Sequence, residues 1–226
     1  MRVAHQYYCG RLGGPYVAPE QADSVAHPMV RPTYHRGMTE IQITCAGSPV
    51  FDVLAKVAGP LPIGVLGLVE GFSTAEGGPA LRTGRVLAGM GIETRLIIPV
   101  GDDIFGRSFR ETVPAPHLHV EFVDCDQPTS TSLVAVDGDG ERTMLHNFGA
   151  DASLMAADIE SRLVSDFLHV GGGLKLPGLD NPDGEPLAGL IRRAKAKGLH
   201  TSLDVVHDPT GRWHRVLPAL PYTDLV

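Results

Sequence analysis

Three glycine-bearing segments hold the groups best suited to chemistry. The first runs Gly47-Ser48-Pro49-Val50-Phe51-Asp52. The Asp52 carboxylate only accepts hydrogen bonds, so it can take two from neighbouring hydroxyls of a polyol. An isolated aspartate after a strand more often serves a turn or a cap. The second segment is Gly77-Gly78, ahead of Pro79. Without side chains there, a ligand can approach the backbone, and the N–H groups of a helix start point outward as donors to a sugar oxygen or a phosphate. The third, Gly171-Gly172-Gly173, permits close approach of a ligand or of another stretch of backbone. Both readings are open from sequence.

These segments need elements to position them, and the chain supplies an alternation of strands and helices. Ile41–Ala46 reads as a first strand, and Arg95–Val100, His119–Val123, Phe167–Val170 and Thr201–Val205 as later ones. Pro79 fits the first turn of a helix that places Ala80, Gly84, Leu87 and Ala88 on one face and stops at Gly91. Asp103 caps a helix carrying Phe105 and Phe109 one turn apart. A further helix is expected around Ile159, Leu163 and Phe167, running up to its strand. The clearest helix has Leu187, Leu190, Ile191 and Ala194 on one face, Asp183 upstream and Gly198 as its stop. Strands separated by helices imply parallel pairing with helices on the sheet faces. In open sheets of this kind, ligands bind beyond the carboxyl ends of the strands.

Two segments do not fit that layer. Residues 53–72 are apolar but broken by glycine and proline. Ser132–Val136 and Arg142–His146 flank Asp137-Gly138-Asp139-Gly140, a hairpin turn signal. They are expected to form a small accessory β-sheet or lid. The Asp-rich turn also has the look of a calcium loop. Its twelfth position, counted from Asp137, is Phe148 where a bidentate glutamate is needed, so the hairpin is preferred.

Composition removes several function classes. The net charge is −7, from 19 basic and 26 acidic side chains, and no basic stripe is present to hold nucleic acid. No apolar run approaches the ~18–20 residues of a membrane-spanning helix, and no signal-peptide core opens the chain. Cys9, Cys45 and Cys125 are widely spaced and suit a reducing cytoplasm. A nicotinamide-dependent oxidoreductase would need Gly-x-Gly-x-x-Gly after the first strand, and Gly47-Ser48-Pro49-Val50 does not supply it. Residues 1–37 lack a sustained period and read as a flexible N-terminal extension. Met38 then opens the patterned region and is a second candidate start. His5, His27 and His35 are scattered along the extension; a metal site there is conceivable, but such histidines are usually solvated.

Taken in order, the motifs resemble a family. Ala46-Gly47-Ser48-Pro49-Val50-Phe51-Asp52, Gly77-Gly78 opening a helix, and Val100-Gly101-Asp102-Asp103-Ile104-Phe105-Gly106 are similar to the ribokinase, or PfkB, carbohydrate kinases. Thr129 to Thr131 before a strand, Asp139-Gly140-Glu141-Arg142 at a hairpin, Gly149-Ala150 and His169-Val170-Gly171-Gly172 extend the match over residues 41–226.

The resemblance implies a ribokinase-like α/β fold, a central mostly parallel sheet flanked by helices. A β lid from residues near 53–72 and 131–147 would close over the ligand, and could also pair two copies. It implies transfer of the γ-phosphoryl group of ATP to a hydroxymethyl group of a sugar or nucleoside, with Mg2+. Asp52 would hold sugar hydroxyls, and Gly77 and Gly78 would present backbone groups to them. Arg82 stands where the family usually has Asn on the helix. Arg offers only donors and a fixed charge, whereas Asn offers a donor and an acceptor. Arg82 either tunes the site toward an acidic substrate or swings to solvent. The family's Asn-x-x-Glu segment, which organises magnesium, and its Gly-Ala-Gly-Asp motif, which holds the general base, are expected beyond Val226. Residues 38–226 are thus expected to be an incomplete ribokinase-like domain, truncated within a strand that opens at Thr223-Asp224-Leu225-Val226. The alternative to a kinase is a non-catalytic remnant that binds sugar or a partner chain. Losing the remaining strands would leave an exposed edge prone to association.

Overall fold

The computed structural model describes residues 42–59, 61, 64–163 and 165–226. The extension, its histidines, Cys9 and the Met38 start lie outside the described residues.

Two sheets organise the chain. The central sheet has five parallel strands in the order β5-β4-β1-β8-β9: β1 (Gln42–Gly47), β4 (Glu93–Gly101), β5 (Leu118–Cys125), β8 (Phe167–Gly171) and β9 (His200–Asp204). The second sheet has the order β3-β2-β6-β7, from β2 (Val50–Val57), β3 (Val69–Gly77), β6 (Thr131–Val136) and β7 (Arg142–Asn147). Strands β2 and β6 are parallel, and their outer partners are antiparallel. This is the accessory sheet expected from residues 53–72 and 131–147.

The central strands are covered on both faces, which is why they read as apolar runs rather than alternations. Successive side chains point to opposite sides. Leu96 and Ile98 pack with Cys45 against Leu81 and Ala88 of α1 (Pro79–Gly89) and Phe109 of α2 (Ile104–Thr112). Ile97 faces the other way, with Ala46, Val170 and Leu203, against Leu187, Leu190, Ile191 and Ala194 of α4 (Glu185–Ala196). The helix signals behave as read. Gly106 N–H donates to the Asp103 carboxylate (2.8 Å), Glu185 N–H donates to Asp183 (2.9 Å), and Gly91 follows α1 with φ 81°.

One local reading needs adjustment, and one element goes unannounced. Helix α3 covers only Ala156–Glu160, and turns and bends at 161–162 and 165–166 precede β8 in place of a helix running into it. Ile159 is its one buried residue, so packing sustains little more than a turn. Arg212–Tyr222 forms an extended 3-10 stretch with Pro218 and Pro221 inside it, buried through Val216 and Ala219. No period of 3.6 announces it. The final residues do lie beside β9: Leu203 N–H donates to the Leu225 carbonyl (2.9 Å), in a single parallel bridge.

Candidate active site

Strands β1 and β8 end side by side, and α1 begins against them. A side chain at Gly171 would strike the Ala80 backbone, so the absent side chain there accommodates the start of α1. This favours backbone packing over a ligand at that glycine. Gly78, the residue before α1, has φ 99°, and an added Cβ would stand 2.8 Å from Pro49 Cα. Only glycine fits both constraints.

Asp52 lies within β2 rather than in a turn, which excludes the turn-aspartate reading. Its neighbour Phe51 turns to the opposite face and packs on Phe105 and Phe109, with ring centroids 4.6 and 6.1 Å away. That aromatic anchor fixes the strand so that Asp52 points away from α2. On β3, Glu76 makes the matching anchor. It pairs with Arg85 of α1 (2.5 Å) and accepts from the Ser108 and Thr112 hydroxyls of α2. Gly77 follows it with no side chain, and a Cβ there would come within 2.7 Å of Asp52 Oδ2 and 3.3 Å of the Arg82 guanidinium. The structure thus brings Asp52, Gly77 and Arg82 together, with Gly78 next in the chain.

Arg82 stands 4.0 Å from Asp52 Oδ2, and its side chain is 59% exposed. A tight carboxylate–guanidinium pair closes to about 2.7–2.9 Å. The guanidinium therefore keeps donors free while its charge faces Asp52. Burial raises the Asp52 carboxyl above its usual range, and the Ser132 hydroxyl and Arg82 charge pull against that shift.

Other polar groups at this end of the sheets escaped the sequence. In register, Asp52 of β2 stands opposite Ser132 of β6, which stands opposite His146 of β7. The Ser132 hydroxyl lies 3.0 Å from His146 Nδ1. Burial and then the Lys175 charge push the imidazole down to about 4, so it is neutral near pH 7. The fully buried Asp151 accepts from the Ser48 hydroxyl (2.5 Å), while the Ser130 hydroxyl accepts from the Asp151 N–H (3.0 Å). Burial lifts the Asp151 carboxyl to about 8 against the Ser48 and Ser130 hydroxyls and the Lys175 charge, making it a proton-bearing acid at neutral pH. Asp208, by contrast, is held well below the carboxylate range: burial opposes this, but hydrogen bonds from Thr210 and Arg212 outweigh it. It ties its loop together.

The hairpin reading of residues 137–140 holds, with Asp137 accepting the Asp139 and Glu141 N–H groups (3.0 and 2.9 Å). Among the described residues, no three His, Cys, Asp or Glu side chains cluster as a metal site. No described helix is long and apolar enough to cross a membrane.

Comparison with known proteins decides the family. The sequence pattern of the pfkB family carbohydrate kinases matches residues 41–226. The chain belongs to this family. A fructokinase from Klebsiella pneumoniae is 35% identical over 88 residues, covering 37% of this chain and 29% of that protein. The match therefore spans less than a third of that relative's length. Among solved structures, a carbohydrate kinase from Agrobacterium tumefaciens superposes with a TM-score of 0.66 at 19% identity, over 82% of this chain and 60% of that one. Arabidopsis thaliana ribokinase, solved with ribose and ATP, gives 0.61 at 15% identity, over 83% and 60%. At these identities the structures establish a shared fold. In this pfkB-family chain, Asp52 and Gly77, two of the residues that carried the resemblance, stand together in space, with Gly78 next in the chain.

Proposed function

We propose that this chain forms the sugar-binding part of an ATP-dependent carbohydrate kinase, which transfers the γ-phosphoryl group to a sugar hydroxyl. The observation that carries this reading is the meeting of Asp52, Gly77 and Arg82. A half-buried carboxylate accepts from two vicinal hydroxyls, and the Gly77–Gly78 backbone approaches the ring without side chains in the way. Arg82 adds donors and a positive charge. The four-stranded sheet acts as the lid, closing over the sugar so that water does not compete for the phosphoryl group. Its opposite face exposes Phe72, Leu133 and Leu145, an apolar patch suited to pairing with a second copy.

Phosphoryl transfer depends on positioning and on stabilising the charge that develops on the transferred group. The resemblance assigns those tasks to Gly-Ala-Gly-Asp and Asn-x-x-Glu segments, with ATP and Mg2+. Neither string occurs within residues 1–226. A second reading is that this polypeptide binds sugar or a partner chain without turnover.

Calorimetric titration with D-fructose and D-ribose tests the first reading, alongside an ADP-release assay over the same sugars. Binding that is lost in Asp52→Asn supports the sugar site. Binding without ADP release selects the non-catalytic reading. Absence of binding by either sugar at millimolar concentration overturns both as sugar-site proposals.

A further inference from the structure

The polar row across the second sheet carries a consequence for substrate choice, which rests on the sugar-binding reading above. Asp52, Ser132 and His146 occupy facing register positions on β2, β6 and β7. They share one face of the sheet, opposite the face on which Phe51 packs against α2. The Ser132 hydroxyl has a single hydrogen to donate and two neighbours, the Asp52 carboxyl, with which it hydrogen-bonds, and His146 Nδ1. A hydrogen bond to a carboxylate is roughly twice as strong as one between neutral groups, so the hydroxyl donates toward Asp52. Its oxygen then accepts from His146 Nδ1, 3.0 Å away, and that nitrogen must carry the proton. On a neutral ring the other nitrogen, Nε2, is left as a bare acceptor. Nε2 is buried and has no hydrogen-bond partner in the structure. A buried polar atom without a partner is unfavourable until a donor arrives.

We propose that His146 is a specificity-determining residue whose Nε2 accepts a hydrogen bond from a hydroxyl of the bound sugar. The half-buried Phe148 and Lys175 side chains beside it move aside to admit the ligand. The Phe148 ring lies edge-on to the imidazole at 5.0 Å, and Lys175 Nζ stands 5.6 Å from the centre of the Phe148 ring. Burial, and after it the Lys175 charge, disfavours a second proton on the imidazole, which preserves the acceptor. The row spans two strand spacings, roughly 10 Å between its outer backbones. It therefore selects a sugar long enough to engage Asp52 at one end and His146 at the other, with a hydroxyl rather than a hydrogen at the far end.

Two measurements on the full chain test this. Long-range 15N–1H spectra of the histidine rings report the tautomer without any ligand. The expected result is a proton on His146 Nδ1 and none on Nε2, and the reverse tautomer overturns the proposal. Calorimetry then compares wild type, His146→Asn and His146→Gln with D-fructose and its mono-deoxy derivatives. Asn keeps a donor toward Ser132 but lacks the Nε2 acceptor, whereas Gln restores an oxygen near that position. His146→Asn is expected to bind D-fructose about tenfold more weakly (~1.4 kcal/mol). One deoxy sugar, lacking the paired hydroxyl, should bind wild type and this variant equally, and His146→Gln should recover affinity. Equal affinities of wild type and His146→Asn for every sugar overturn the proposal and leave the Asp52 site standing. If wild type binds neither D-fructose nor D-ribose, the sugar-binding reading itself fails and this inference falls with it.

Discussion

In the central sheet both sides of β4 are buried: Leu96 and Ile98 meet α1 and α2, while Ile97 meets the layer of α4. In the second sheet β2 is split instead. Phe51 and Val53 pack toward the first layer of helices, whereas Asp52 turns to the other side and meets Ser132. Strand β7 has one half-buried side chain, His146, among exposed ones. The same strand geometry thus yields two different products. Where both faces are apolar, the strand is structural. Where one face is anchored by aromatics and the other is polar, the strand is a rigid mount for polar groups. Such precision is easier to hold on a strand than on a loop.

The widest gap between the two sheets should appear in stability. Ile97→Ala removes a fully buried side chain from the middle of β4 and is expected to cost about 3 kcal/mol, within the usual range for such cavities. For a chain of this size that is a fall in Tm of roughly 6–12 °C. Leu145→Ala, on β7 and 61% exposed, should change stability by less than about 0.5 kcal/mol. Thermal melts monitored by far-UV circular dichroism compare the two directly. Equal losses would show that the second sheet is as much a core as the first.

Function should reverse the order. Asp52→Asn keeps the shape of the side chain but removes the charge behind two hydrogen bonds, each worth at least about 1.5 kcal/mol when charge-assisted. Sugar affinity is expected to fall about 100-fold by calorimetry. The melting temperature should hold or rise above pH 4. Burial raises the Asp52 carboxyl in the folded state, so its ionisation opposes folding. An equal loss of binding from Ile97→Ala, in a sample that remains folded, would dissolve the distinction between mount and scaffold.

Asp151, fully buried and bonded to Ser48 and Ser130, sharpens the comparison through pH. Its folded-state carboxyl is raised to about 8 by burial, from an ordinary value of 3.8. Between about pH 4 and 8 the folded chain therefore holds a proton that the unfolded chain releases. The stability this gives is complete below pH 4 and is lost as pH climbs to 8. Asp151→Asn cannot ionise. Its Tm relative to wild type should rise across that window, by the equivalent of about 1.4 kcal/mol for each pH unit, and level off above it. A difference that stays flat with pH would show that Asp151 is ionised in the folded chain.

These residues also mark how far the sequence could be read. Strands β1 and β4, helices α1 and α4, the 137–140 hairpin and the Asp103 cap follow from local periods and turn residues, because their partners lie within a few positions. Asp52, Gly77 and Gly78 were visible as types at strand and helix ends. Their meeting with Arg82 was not, since it depends on how β2 and β3 pair. The Asp52–Ser132–His146 row depends on registers between strands about 80 and 14 positions apart, and the Ser48–Asp151 bond joins residues 103 positions apart. A one-residue slip in either register would send Ser132 or His146 to the other face. The Glu76 anchor had only a weak signal, a lone acid beside Gly77-Gly78 in an alternating strand. Arg212–Tyr222 had none, because two prolines and 3-10 geometry leave no helical period.

The smallest effect belongs to Arg82, at the border between the two regions, on a helix of the central layer but facing the second sheet. Its pair with Asp52 is long and mostly solvated, so Arg82→Asn should alter stability by less than about 1 kcal/mol. Its influence should appear in ranking instead. Arg presents a fixed charge and donors only, while Asn presents a donor and an acceptor and no charge. The ratio of affinities for D-gluconate over D-fructose is expected to be several-fold higher in wild type than in Arg82→Asn. Because the guanidinium is exposed, that preference should shrink as salt rises toward 1 M, where the screening length is only about 3 Å. An unchanged ratio would make Arg82 a solvent-facing charge and leave recognition to Asp52, the paired glycines and the row on the second sheet.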